Sequence, residues 1–143
     1  MKFFKPACIV LSLLFIVNIG IAQNSIEVNV QNLRNKKGVI RVSLYNTCQS
    51  FPKVGLEYLK VSLNPEHPNY VFRKLPPGKY AVAVLHDENK NRHADKNWLG
   101  IPQDGFGFSR NVKPKVKAPS FEQTCVELKK GNILRLNIRL IYM

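Results

Sequence analysis

The sequence predicts an all-β protein: an antiparallel β-sandwich of about seven strands with one long ordered loop. Three observations carry that expectation. Apolar and polar residues alternate with a period of two in several short runs, as a strand with one buried and one wet face requires. Turn-forming residues separate these runs at short intervals. No segment keeps a helical spacing over more than two turns. The chain has 143 residues, 45% of them hydrophobic, which suffices for one core and is too apolar for a disordered chain.

Residues 1–22 stand apart from this pattern. Lys2 and Lys5 give a positive start, a largely apolar run follows from Ala7 to Ile21, and Gly20-Ile21-Ala22 places small residues ahead of polar Gln23 and Asn24. This is the form of a secretory signal peptide cleaved after Ala22. The run is shorter than the roughly 20 apolar residues of a spanning helix, and Cys8, behind Lys5 and Pro6, lies too early for a lipoprotein attachment site. The expected mature product is a single domain over residues 23–143, exported to the periplasm or beyond, with no transmembrane segment after cleavage.

Within that domain, Ile26, Val28 and Val30 alternate with Glu27 and Asn29, and Ile40, Val42 and Leu44 alternate with Arg41 and Ser43. The polar stretch Arg34 to Gly38 between them is expected to close a hairpin. Weaker strand patterns cover Leu56 to Leu63 and Asn69 to Phe72, parted by Asn64-Pro65-Glu66-His67-Pro68. In Leu75-Pro76-Pro77-Gly78-Lys79-Tyr80 the prolines preset the backbone and Gly78 permits a positive φ before the next strand. This Pro-Gly-x-Tyr approach recurs in transthyretin-like and immunoglobulin-like sandwiches. Tyr80 to Leu85 is apolar at every position, so that strand is expected to be central and covered on both faces. Phe121 to Leu128 and Leu134 to Tyr142 complete the set. The last should turn Leu134, Leu136, Ile138, Leu140 and Tyr142 inward and Arg135, Asn137 and Arg139 outward.

The chain carries 22 Lys and Arg against 9 Asp and Glu, a formal charge of +13 that falls to +11 once Lys2 and Lys5 are removed. Such a balance favours anionic surfaces, among them acidic glycans and lipid headgroups. The basic residues are dispersed apart from Lys113-Pro114-Lys115-Val116-Lys117, no helix-based DNA reader is visible, and export removes the usual nucleic-acid partners, so no nucleic acid is expected. A soluble exported protein with a basic surface is the plainer reading. Cleavage leaves two cysteines, Cys48 and Cys125, and an even count in an oxidising compartment predicts that they pair. Two unpaired, buried thiols are the alternative.

Residues 86–120 fit neither strand nor helix, and a loop of that length in one domain is usually functional or internally packed. It concentrates Asp87, Glu88, Asp95 and Asp104 in an otherwise basic chain. Asp87, Asn89, Asn91 and Asp95 occupy positions 1, 3, 5 and 9 of a calcium loop, a spacing that aims alternate oxygens at one centre. Arg92 stands where that loop needs Gly and Trp98 where it needs a bidentate acid. A loop of Asx turns bonded to its own backbone would use the same residues without calcium. Trp98, Phe106 and Phe108 either present rings to a sugar or peptide, or plug the end of the sandwich, where large aromatic residues usually lie.

Catalysis finds little support. His67, His86 and His93 are the only imidazoles, and His86 and Asp87, adjacent on a strand, point to opposite faces. No GxSxG or HExxH motif is present. The expected function is a non-enzymatic binding or cell-envelope-associated module, its partner a glycan, a peptide or an anionic envelope surface. A small hydrolase, or a calcium-dependent carbohydrate-binding protein, built on residues 86–109 is the alternative.

Four stretches carry a resemblance to a known family: VSLYN at 42–46, FP at 51–52, LPPGKYAVAVLHDENKN at 75–91 and LGIPQDGFGFS at 99–109. Over essentially the whole mature chain the sequence resembles domain of unknown function 2141, small exported bacterial proteins. The resemblance implies a β-sandwich and an exported location, and it brings no catalytic residues. Relatives carry Gly near Lys90 or Arg92, which brings their acidic loop closer to a calcium loop.

Overall fold

The computed structural model describes residues 23–97 and 99–143. The expected signal peptide, residues 1–22, and Trp98 lie outside them. Among the described residues the regular elements are β1 (Ser25–Gln31), β2 (Val39–Tyr45), β3 (Leu59–Leu63), β4 (Asn69–Phe72), β5 (Gly78–Asp87), β6 (Gly105–Phe108), α1 (Phe121–Thr124), β7 (Val126–Leu128) and β8 (Ile133–Arg139), with one 3₁₀ turn at Ser109–Asn111. The strands form two sheets, one of order β4–β1–β8 and one of order β3–β2–β5–β6 with β7 joined to β5.

The two sheets pack face to face as a sandwich. Ile26, Val28 and Val30 of β1 and Ile138 of β8 share one buried cluster with Ile40, Val42 and Leu44 of β2 and Val82 and Val84 of β5. Each such side chain contributes on the order of 1.5–3 kcal/mol by leaving water. The alternation read along β8 holds: Ile138 and Leu140 are buried, Leu134, Leu136 and Tyr142 pack against the same cluster, and Arg135 and Arg139 face solvent.

The expected hairpin between the first two strands does not form. β1 uses both edges, pairing with β4 on one side and β8 on the other, so β2 lies in the opposite sheet. Residues 32–38 therefore cross between sheets, and Gly38 makes the final bend at φ 70°. The β1–β8 pair is parallel, from Ser25↔Ile133 to Gln31↔Arg139, so the sandwich is not wholly antiparallel. Parallel neighbours need a long connection, and the whole intervening chain supplies it.

Two further expectations change. Residues 121–128 are not one strand: Ser120 caps α1 by accepting from the Gln123 N–H, while the Gln123 side chain accepts from the Ser120 N–H. That reciprocal pair is a capping box. Residues 86–120 are not all loop, because β6 pairs with β5 from Ala83↔Phe108 to His86↔Gly105. The glycines of β6 face inward and admit the C-terminal strand. A Cβ on Gly107 would lie 2.8 Å from Ile138 Cγ2, and one on Gly105 would lie 2.5 Å from Tyr142 Cζ. Close approach lets Phe106 and Ile141 exchange backbone hydrogen bonds of 3.0 and 2.8 Å, stitching the tail of one sheet to the edge of the other.

The expected Cys48–Cys125 bridge is not present; both thiols are free. Cys48 is exposed with its Sγ 3.2 Å from Gln49 Oε1, and Cys125 turns its Sγ to the Glu122 carbonyl of its own helical turn, 3.8 Å away.

Candidate functional site: a groove on the outer sheet face

Strand alternation that sends Val42, Val82 and Val84 inward must send their neighbours to the other face of the second sheet. Register then aligns them in rows. Arg41 lies opposite both Ser62 and Leu85, and Leu85 opposite Phe106; Ser43 lies opposite both Lys60 and Ala83, and Ala83 opposite Phe108. Ser43 and Ala83 at the middle of the second row are small, so the face is lowest there. Among the described residues no third sheet covers it. Residues from 52–60, 92–96, 100–104 and 114–118 rise around it and leave a groove of about 1000 Å³. A shallower hollow of about 560 Å³ beside Tyr70 of β4 and the following Arg73 has fewer walls.

An aromatic cluster closes one end of the groove. Tyr45, Phe51, Ala81, Phe108 and Phe121 are buried together, with ring centroids 5.2 Å apart for Tyr45–Phe51, 6.1 Å for Phe51–Phe108 and 6.2 Å for Phe51–Phe121. Edge-to-face pairs at such distances add to area burial. α1 delivers Phe121 to this cluster and is held by Ser109, whose hydroxyl donates to the Thr124 carbonyl at 2.6 Å. Burial, reinforced by the Glu57 carboxylate, pushes the Tyr45 hydroxyl up to about 12.

A buried ion pair closes the other end. Asp87 is fully buried, and its Oδ2 accepts from Arg41 Nε at 2.8 Å and from the Arg92 N–H at 2.9 Å, while Oδ1 accepts from the Asn91 N–H at 3.1 Å. Burial favours the protonated acid, but the Arg92 N–H, the Arg41 guanidinium and the Asn91 N–H outweigh it and hold the Asp87 carboxyl below the usual carboxylate range. His86, its chain neighbour, points the other way, into the core side. The Lys37 carbonyl, 2.8 Å from Nε2, can only accept, so Nε2 donates to it, and Nδ1 is hydrogen-bonded to the Tyr142 hydroxyl at 2.8 Å. Both nitrogens are committed to structure, and the pair offers no base to a substrate.

The four residues with calcium-loop spacing are thus divided. Asn89, Asn91 and Asp95 meet at one point, where both amide groups donate to the Asp95 carboxylate, but Asp87 is turned to Arg41. Among the described residues, no group of three or more His, Cys, Asp or Glu side chains is arranged to hold a metal ion. The loop instead follows Asx geometry: the Asn91 N–H donates to Asn89 Oδ1 and the His93 N–H to Asn91 Oδ1. Lys90 and Arg92 take φ of 61° and 68°, the left-handed conformation that Gly adopts without strain. We expect the melting midpoint to be the same in millimolar calcium and in excess chelator; a rise of several degrees with calcium would overturn the self-bonded reading.

Asp104 anchors the far side of this loop, accepting from the Asp95 N–H at 2.9 Å. It is 5% exposed, and burial, against the help of that N–H and together with the charges of Asp95, Asp87 and Glu88, pushes its carboxyl above the usual range. A raised carboxyl favours folding below the ordinary carboxylate pKa and opposes it once pH rises through the folded value. Asp104→Asn keeps an acceptor for the Asp95 N–H and removes the repulsion. It should melt above the wild type at pH 7 and lose that advantage below about pH 4, which a pair of thermal scans measures.

Of the expected aromatic platform, Phe106 is half-buried in the groove floor and Phe108 is buried where the floor meets the aromatic cluster. Sequence reasoning missed Arg41, Ser43, Ala83 and Leu85 as groove residues. The signal was present: Ala83 and Leu85 follow Ala81 as apolar residues on the outward positions of β5. The tract 113–117 contributes Lys115, Val116 and Lys117 to the groove lining.

The sequence model for uncharacterized proteins conserved in bacteria, DUF2141, matches residues 28–134. That span covers most of the chain and all strands of the groove. The chain belongs to the DUF2141 family. No curated protein and no solved structure matches it. For DUF2141 the match agrees with the resemblance read from residues 42–109, and it reaches into β1 at one end and into β8 at the other.

Proposed function

We propose that this DUF2141 protein is an exported, non-enzymatic binding module of the cell envelope, and that the outer face of the β3–β2–β5–β6 sheet is its ligand surface. One observation carries the reading: a groove of about 1000 Å³ whose floor leaves Ala83, Leu85 and Phe106 only partly buried. Ligand sites are concave, mostly apolar and furnished with a few polar groups, with volumes of about 300–1,000 Å³. An apolar sheet face is ordinarily covered by another layer; here loops stand around it instead.

Export rests on the signal-peptide pattern of residues 1–22, and N-terminal sequencing of protein from the periplasmic fraction should begin at Gln23. The binding reading is tested by titrating methyl-labelled protein with glycan, peptide and lipid panels. The Ala83 and Leu85 methyl resonances should move with the productive ligand, and Ala83→Trp, which fills the floor from the solvent side, should abolish that response. Ligand shifts confined to another face would overturn the groove. Substrate turnover lost in His86→Ala would overturn the non-enzymatic reading.

A further inference from the structure

We infer that the groove takes a single-chain anionic amphiphile, with the hydrocarbon chain on the apolar floor and an oxyanion head at the basic rim. This rests on the groove being the binding surface. The floor supplies Ala83, Leu85, Phe106 and Phe108, whose side chains offer no hydrogen bond, with the Ser43 hydroxyl beside Ala83. The rim supplies the opposite chemistry. Lys60, Arg92, Lys96, Lys115 and Lys117 line the groove, against carboxylates at Glu57 and Asp104.

These carboxylates do not neutralise the rim. Glu57 is ion-paired with Lys60 at 4.0 Å and compensates that cation alone, and Asp104 is buried and accepts from the Asp95 N–H. Arg41, at the closed end, is taken by Asp87 at 2.8 Å. Arg92, Lys96, Lys115 and Lys117 are exposed and enter no ion pair among the described residues. Like charges gathered around a low-dielectric wall focus a positive potential on the opening.

At the mouth the two chemistries alternate. Val54 is 84% exposed beside Lys53, and Val116 is fully exposed between Lys115 and Lys117. A neutral glycan would leave these cations unpaired. A sulfated glycan would pair them and leave the floor wet. An alkyl chain ending in phosphate or carboxylate satisfies both at once, covering the floor at about 25 cal/mol per Å² of apolar surface removed from water.

The test titrates the mature protein with dodecyl phosphate below its micelle threshold, following heat and the Ala83 and Leu85 methyl resonances. Dodecyl maltoside, dodecyltrimethylammonium, a heparin-derived oligosaccharide and anionic phospholipid vesicles are run in parallel. One dodecyl phosphate should bind per chain, at least tenfold more tightly than either the neutral or the cationic detergent, and move both methyls. Ala83→Trp should abolish binding. Lys115→Glu/Lys117→Glu, on exposed residues, should weaken the anion about tenfold and leave the neutral detergent unchanged. Equal affinity for neutral and anionic chains would overturn the role of the rim. Oligosaccharide or vesicle binding without methyl shifts would overturn the amphiphile in favour of surface docking. If no amphiphile binds but another ligand moves the same methyls, the ligand class fails and the groove stands. If nothing in the panels moves them, both fail.

Discussion

Gly38→Ala should destabilise the protein by about 2–5 kcal/mol, the sum of a left-handed alanine and an overpacked contact. Gly38 has φ 70°, and a Cβ there would fall inside the van der Waals sphere of the Asp87 carbonyl oxygen and lie 2.5 Å from Glu88 Cα and 2.7 Å from Glu88 C. Every one of those atoms is backbone, so no side chain can swing away. The position is also where the chain leaves the crossover and begins β2, whose first residue, Val39, is paired with Asp87. Separating β2 from β5 at that point would loosen the end of the groove that Arg41 and Asp87 close. Gly55→Ala is the control. Gly55 has φ 88° with nothing within 4 Å of the added Cβ, so it carries the conformational cost alone. Urea midpoints of the two variants separate strain from collision, and equal losses would show that collision adds nothing at Gly38.

Much of this fold was legible because alternation is a local signal. Ile26 to Val30, Ile40 to Leu44 and Leu134 to Leu140 each state which side faces the core, and the sandwich follows from having two such layers. What alternation does not state is which edge meets which. Residues 32–38 have the chemistry of a hairpin turn, yet β1 found β4 and β8 as partners and left β2 to the other sheet. Edge choice is decided by the whole set of strands, so it was out of reach of a seven-residue window.

Short elements were missed for another reason. Gly105-Phe106-Gly107-Phe108 alternates with a period of two, but its glycines suggest turns until one knows that Tyr142 and Ile138 need the space. Phe121 to Leu128 looked extended, although Ser120 and Gln123 spell a capping box that an apolar-pattern reading passes over. The candidate site was legible in part. The loop residues Asn89, Asn91 and Asp95 do converge, and Phe106 and Phe108 do line the groove. Asp87 left the loop's centre because Arg41, 46 residues earlier in sequence, reaches it from the neighbouring strand. No spacing rule within the loop can anticipate a partner from outside it.

That partnership makes Asp87 the second large effect. Asp87→Ala should cost about 3–5 kcal/mol, as removing one member of a buried ion pair does, with a lower figure expected from Asp87→Asn because one acceptor remains. Three donors lose Asp87 together: the Arg92 N–H, the Arg41 guanidinium, which keeps only the Ser62 hydroxyl, and the Asn91 N–H, which keeps only Asn89 Oδ1. The two backbone donors hold the first turn of the loop, where Lys90 and Arg92 already sit at positive φ, so the walls of the groove should loosen with the pair. The sign of the pH effect follows from the depressed Asp87 carboxyl. Its contribution is complete above the ordinary carboxylate pKa of about 3.9 and is lost as pH falls through the lower folded value. Wild type should therefore shed stability in the acid limb, and Asp87→Asn should show a shallower loss there from a lower plateau. A double-mutant cycle with Arg41→Ala should return a coupling above about 1 kcal/mol, since contacting charges are not additive. Additive losses would mean that the two backbone N–H groups, and not the guanidinium, make Asp87 matter.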